Sequence, residues 1–404
     1  MIDFKNKLVR GSLVLLFLVG IFNVLNFLYH LLMARIMLVE DFGMLKRVFA
    51  FLYIGAIFME SIQTIVVKYS SNYKQDNGKL KNLFLKAHKE VLVPSLIVAS
   101  AFLILSLVIS PVFNISYSLL FATSIFIIFS MFAPITRGIL QGQQKFIALG
   151  LSMLGEAILK IGISFFLVYI GLGVLGAVWG VVISLILSIF LSLMYVRKIL
   201  RSKAEFAALD GIRSYSKPVF FITSVLILFI NVDILIAGNV FSDFDAGVYA
   251  IASTIALIIF IAIQPINKVL FPITALESFD KKRSKNNFKT AITLVLIICL
   301  IALTTLFLFT EQIIYLLSGK VIPEAVKPII LLSLGTAFLS LSSTILYYKL
   351  SQGITKGYLV AVFCLLIEII ILYLFSNSLV WYSLGFLVSN AIFFILSMFL
   401  ILRK

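Results

Sequence analysis

Long apolar runs alternate along this chain with short polar interruptions, most of them rich in Lys and Arg. A helix that crosses the hydrocarbon of a bilayer needs about 20 apolar residues, each rising about 1.5 Å. The runs predict twelve such spans: 11–33, 47–68, 90–110, 114–133, 146–170, 172–196, 218–240, 246–270, 290–310, 327–348, 357–376 and 380–402. They are too long for strands and lack alternation of apolar and polar residues, so the expectation is an all-α membrane protein.

Charge orients the spans. With the N-terminus cytoplasmic, the inward segments carry 27 of the 33 Lys and Arg residues. The outward segments carry Arg35, Lys46, Arg47, Lys320 and Lys327, and Lys160 lies within a span. This asymmetry predicts a multi-pass protein of the cytoplasmic membrane with both termini inside. Lys5, Lys7 and Arg10 precede the first apolar run in the manner of a signal peptide. That run is too long for one and no small-residue cleavage site follows, so it reads as an uncleaved first span.

Composition narrows the function classes. The 404 residues are 62% hydrophobic and 12% charged, outside the range of soluble domains. The net charge of +16 follows membrane topology instead of forming a nucleic-acid-binding patch. The same basic loops would also attract the anionic headgroups of membrane lipids, or a pyrophosphate-linked substrate. Cys299 and Cys364 sit in apolar runs, and His30 and His88 are the two histidines, so no metal site or cofactor is expected. Phosphate loop, nucleophile elbow and zinc-helix motifs are missing, and no loop is long enough for a soluble catalytic domain. The expectation is a protein without catalytic residues, not an enzyme.

Two pairs of segments echo each other. VEDFGMLKRVFA (39–50) resembles SDFDAGVYAIAS (242–253), and RGILQGQQKFIALG (137–150) resembles YKLSQGITKGYLV (348–360). Six spans separate the members of each pair, so both copies face the same side. This predicts two parallel-repeat lobes of six helices, residues 1–203 and 204–404.

Polar residues within the spans mark faces turned from lipid. In span 1, Asn23, Asn26 and His30 share an arc of about 60°. They suit either a translocation path or interhelical hydrogen bonding. In span 2, Glu60 shares a face with Gln63 and has no base one turn away, which makes it a candidate for ion coupling. Glu156 and Lys160 in span 5 stand in the favourable acid-before-base order one turn apart and read as a structural ion pair. Asp233 in span 7 is the leading candidate for contact with a cation or substrate. Asn231 lies about 200° around the same helix. In span 8, Gln264 and Asn267 flank Pro265, which frees backbone carbonyls. Glu368 in span 11 ranks below these.

ARIMLVEDFGML (34–45), AGVYAIAS after NVDILIAGN, and RGILQGQQKF resemble segments of the polysaccharide biosynthesis proteins, the O-antigen-type oligosaccharide flippases of the MATE-like superfamily. The resemblance implies a V-shaped bundle of two six-helix lobes working by alternating access. Its substrate would be a polyprenyl-(pyro)phosphate-linked oligosaccharide, and glycan-assembly proteins would be its partners. A central cavity would be lined by Asn23, Asn26, His30, Arg35, Gln63, Asn231, Gln264 and Asn267. Arg35 would help hold phosphate, and Asp233 and Glu60 would bind H⁺ or Na⁺. With no ATP site, the drive would come from an ion gradient or the membrane potential. The alternative within the superfamily is an H⁺- or Na⁺-coupled exporter of drugs or cations.

Overall fold

A computed structural model describes residues 7–73, 76–207, 212–276, 281–352 and 357–402. Apart from short turns, these residues are helical, and no strand occurs among them. The helices are α1 (Lys7–Ile36), α2 (Val39–Asn72), α3 (Asn77–Phe113), α4 (Tyr117–Gly142), α5 (Phe146–Leu167), α6 (Gly173–Tyr195) and α7 (Arg197–Arg201). They continue as α8 (Ile212–Val240), α9 (Asp243–Leu276), α10 (Lys281–Leu308), α11 (Thr310–Ser318), α12 (Val326–Ser351), α13 (Gly357–Leu374) and α14 (Leu379–Leu402). The short helices α7 and α11 have no counterpart among the expected spans.

Among the described residues nine segments are long and apolar enough to cross a membrane. One of them, Phe146–Tyr195, holds both α5 and α6, and Ile227–Val240 and Val360–Leu374 are shorter apolar stretches. The protein is therefore a multi-pass membrane protein.

Local chemistry sets the helix ends. The Asp76 side chain accepts from the Lys79 backbone N–H at 2.9 Å and caps α3. That hydrogen bond holds the Asp76 carboxyl below its usual range. Asp76→Ala should fray the first turn of α3, visible as faster amide exchange there and unchanged exchange in α4. Asn114 closes α3 in the left-handed conformation at φ 51°, its N–H returning to Ser110. A π turn at Val168–Leu172 joins α5 to α6, with Gly171 at φ 94° and Gly173 at φ 52°. Side chains other than glycine are strained at such angles.

The chain divides into two compact units, Met1–Met33 with Val48–Ser224 and Ala34–Arg47 with Val225–Lys404. Residues 34–47 pack with the second unit, and the first unit runs on to Ser224. Arg35 donates to the Leu316 carbonyl at 2.5 Å, and Lys320 donates to the carbonyls of Ala34 and Met37 at 2.5 and 2.6 Å. Those carbonyls close the last turn of α1, which has no further helical donors of its own.

In the first unit α5 packs on α6, and α4 on both α3 and α6. The α5–α6 crossing is close: a Cβ on Gly180 would stand 2.5 Å from the Ser164 Cα. Val66, Leu80, Leu83, Ile139, Leu140, Leu149 and Ile199 form a buried cluster where α2, α3, α4, α5 and α7 meet. In the second unit α12 packs against α9 and α14, with α10 and α13 at its sides. Phe288 stacks on Tyr348 and Phe229 on Phe393, at ring distances of 4.3 and 4.7 Å.

The second sequence echo has a physical basis. Gln141, at the end of α4, accepts from Gln63 of α2 at 2.7 Å. Its counterpart Gln352, just past α12, donates to the Thr274 carbonyl of α9 at 2.9 Å. Each glutamine fastens the end of one helix to a neighbour, within its own unit.

Candidate functional site

Each unit holds a buried ionisable cluster. The first centres on α5, with α1, α4 and α6 around it. Arg137, on the last turns of α4, is buried and pairs with Glu156 of α5, and also reaches the Ser188 hydroxyl of α6 at 3.3 Å. Ser188 in turn donates to Glu156 at 3.0 Å. The close ion pair of Glu156 is thus with Arg137, while Lys160 stays within electrostatic range of the same carboxylate. Arg137 takes the carboxylate, and Lys160 donates to the Asn26 amide oxygen of α1. Its ammonium also lies 4.7 Å from the centre of the Tyr29 ring. Tyr29 and Ser164 both donate to the Ala177 carbonyl, at 3.3 and 3.1 Å, tying α1 and α5 to α6.

The polar stripe of α1 is thus partly explained. Asn26 bonds within its helix, to Phe22 at 2.9 Å, as well as to Lys160. His30 is buried edge-on against Tyr29 and Phe49, at ring distances of 5.3 and 4.8 Å. Asn23 is half-buried. Gln63 is engaged by Gln141, whereas Glu60 is exposed on α2.

The second cluster centres on Asp233 of α8. This carboxylate is 1% exposed, and one oxygen accepts from the Tyr249 hydroxyl of α9 at 2.8 Å. Tyr382 of α14 donates to the Asp233 backbone carbonyl at 2.7 Å and meets Tyr249 edge to face at 5.0 Å. Glu368 of α13 is fully buried, and neither of its oxygens has a hydrogen-bond partner among the described residues. Glu368 and the buried Lys46 of α2 both lie within electrostatic range of Asp233. Two carboxyl groups and one ammonium thus occupy one region inside the unit. Water-excluded surroundings strengthen charge interactions and oppose leaving two carboxylates unneutralised.

The remaining expected residues of this unit differ in burial and in partners. Asn231 is buried and donates to the Ile227 carbonyl within α8 at 2.6 Å. Asn267 donates to Ser343 at 3.2 Å and accepts from Thr344 at 2.8 Å, both on α12. Gln264 is half-buried, and Arg35 is exposed with its guanidinium on Leu316.

Arg137, Lys46, Arg47, Tyr249 and Tyr382 escaped the sequence reading, which also ranked Glu368 low. The three basic residues were assigned to membrane edges or loops by charge counting. Arg47 is 1% exposed and binds Asp243 at 2.7 Å and the Gly238 carbonyl at 3.3 Å. One signal was available: a basic pair at the start of an apolar run, six residues after the acids Glu40 and Asp41.

The helical multi-pass bundle matches the fold of known transporters. The inward closed conformation of the lipid II flippase MurJ superposes with a TM-score of 0.73 at 17% identity, covering 98% of this chain and 88% of that one. An inward-facing multidrug resistance MATE family transporter of the MOP superfamily gives 0.71 at 16% identity, covering 94% of each chain. The profile of the polysaccharide biosynthesis protein family matches residues 32–327, and the chain belongs to that family. It is also similar, at 23% identity over 93% of this chain and 94% of the other, to an uncharacterized membrane protein of Methanocaldococcus jannaschii.

Proposed function

We propose that the chain is a flippase carrying a polyprenyl-(pyro)phosphate-linked oligosaccharide across the cytoplasmic membrane by alternating access. Its twelve spans form two parallel-repeat lobes of six, residues 1–203 and 204–404, with both termini cytoplasmic. The observation that carries this reading is the pair of buried ionisable clusters in a chain of the polysaccharide biosynthesis family. Charged groups at membrane depth are costly and are kept where they contact substrate, ions or one another. Asp233 binds the coupling H⁺ or Na⁺ with Glu368 within electrostatic range, and Glu60, exposed on α2, serves as a second ion-binding acid. The cavity residues named from the sequence, from Asn23 to Asn267, contact the sugar head, and glycan-assembly proteins supply the cargo.

Translocation of a labelled lipid-linked oligosaccharide in proteoliposomes under imposed proton and sodium gradients tests this. Asp233→Asn is expected to lower the gradient-driven rate by about tenfold, toward the lower end of the ~5–150-fold range typical of coupling between sites. Glu60→Gln is expected to weaken the response to the gradient. Full rate and unchanged ion dependence in both variants would refute the coupling assignment.

A second reading is an H⁺- or Na⁺-coupled exporter of drugs or cations. The likeness to the MATE transporter and the two buried acids within electrostatic range of each other favour it. Drug resistance on overexpression, with surface glycans intact on deletion, is the result that would select it.

A further inference from the structure

Lys46 carries a buried positive charge into the region of Asp233, and two close helix crossings fix its backbone there. Three residues before it, Gly43 meets Gly247 of α9, where a Cβ would stand 2.7 Å from the Gly247 Cα. One residue after it, Arg47 lies across Gly238 of α8 and is committed to Asp243 and to the Gly238 carbonyl. Tyr249 follows Gly247 by two residues. Asp233 precedes Gly238 by five, about 7.5 Å along a helix. At Lys46, α2 is therefore packed against both helices that carry the Asp233–Tyr249 hydrogen bond. Lys46 is 3% exposed, and Asp233 is the charged group that acts on it.

The carboxyl groups around it are not satisfied by the protein. One oxygen of Asp233 and both oxygens of Glu368 are buried without a hydrogen-bond partner among the described residues. Helix register places the two acids in one layer. Phe241 meets Tyr382 edge to face and Phe229 stacks on Phe393, so α8 runs antiparallel to α14 with Asp233 level with residues 389–390. Gly385 packs on Ile371 and Phe375, which sets Glu368 of α13 at that same level. Two buried carboxyl groups side by side need a positive charge. Lys46 supplies one from within the chain, and a free cation entering the layer is repelled by it.

We infer that Lys46 is a tethered counter-ion, which neutralises Asp233 when the site is empty and gives way when the coupling cation enters. This rests on the ion-coupling role given to Asp233 above. It adds how the emptied carrier avoids an uncompensated charge inside the second unit. The ammonium competes with the mobile ion, so it keeps the affinity for that ion low and favours its release after each passage. Loss of the ammonium strengthens ion binding. Loss of an ion ligand would weaken it, and that difference in sign separates the two roles.

The test uses the purified full-length protein in detergent and two probes: radiolabelled Na⁺ and, in choline buffer, protons followed with a pH indicator. The coupling ion is the one whose uptake Asp233→Asn abolishes. For that ion, Lys46→Gln should lower the concentration at half-saturation about tenfold, a coupling of ordinary size between two sites. Lys46→Met should do the same, which keeps the test decisive if Lys46→Gln folds poorly. Lys46→Arg keeps the charge and should stay near the wild-type value. A merely structural lysine would lower the melting temperature of the neutral variants without tightening ion uptake. Unchanged or weaker uptake in both neutral variants, with Asp233→Asn still abolishing it, would overturn the proposal and leave the coupling assignment intact. Tightening by Lys46→Arg as large as by Lys46→Gln would also overturn it, since charge would not be the cause. Wild-type protein that takes up neither ion through Asp233 would overturn both.

Discussion

Arg137→Met should destabilise the first unit by about 3–5 kcal/mol, the cost of removing one member of a buried ion pair. The change leaves Glu156, a half-buried carboxylate between helices, with Ser188 as its remaining named donor. The side chain of Glu156 is 16% exposed, so water replaces the lost partner only in part. Thermal unfolding of the purified protein in detergent measures the effect. A paired change separates charge from packing: Glu156→Gln with Arg137→Met removes both charges and should recover most of the loss. A well-packed neutral replacement of a buried pair is often as stable as the pair itself. Equal instability of the single and double variants would show that the guanidinium matters for its volume rather than its charge.

Gly247→Val should unseat the segment 34–47 from the second unit. A Cβ at Gly247 would run into the Val39 carbonyl, and one at Gly43 would stand 2.7 Å from the Gly247 Cα. The first turns of α2 and α9 therefore cross backbone on backbone, and no side chain yields to make room. Gly238 is equally crowded, with the Arg47 side chain lying across it. Overpacking of a close crossing costs about 1–3 kcal/mol even where neighbours can shift. The expected result is faster amide exchange across 34–47 and the first turn of α9, with α5 and α6 unaffected. Gly43→Val should give the same pattern, because both substitutions act on one crossing. Exchange that rises in α5 as strongly as in 34–47 would contradict it.

The reason these glycines were visible in the sequence, yet unexplained, is instructive. The first echo paired an acid, a Phe and a Gly at the head of two apolar runs. The structure brings those two heads into contact with each other, so the shared Gly is a requirement of their crossing. Apolar length and charge asymmetry likewise announced the helices, because both are local properties of the chain. Partnerships were different. Glu156 and Lys160 obey the one-turn rule on a single helix, but that rule contributes a few tenths of a kcal/mol. A guanidinium arriving from α4 in a buried setting outweighs it. Glu368 has no polar neighbour in sequence, and its relation to Asp233 exists only after α8, α9, α13 and α14 have packed. Lys46 and Arg47 were assigned to water because a basic pair beside an apolar run normally snorkels to the surface. Their burial depends on Asp243, Gly238 and Asp233, which lie in the second half of the sequence.

The placement of residues 34–47 also has a consequence for how the protein is made. Arg47 leaves the ribosome 196 residues before Asp243, the carboxylate it will bind. During that interval the first two helices are made with two cations near the start of α2, before Asp243 exists to bind Arg47. Those cations must wait at the watery interface until the later helices arrive. The nascent chain would therefore be completed by a late docking event, and a protein cut short before α8 would display Lys46 and Arg47 to the solvent as a mark of unfinished assembly.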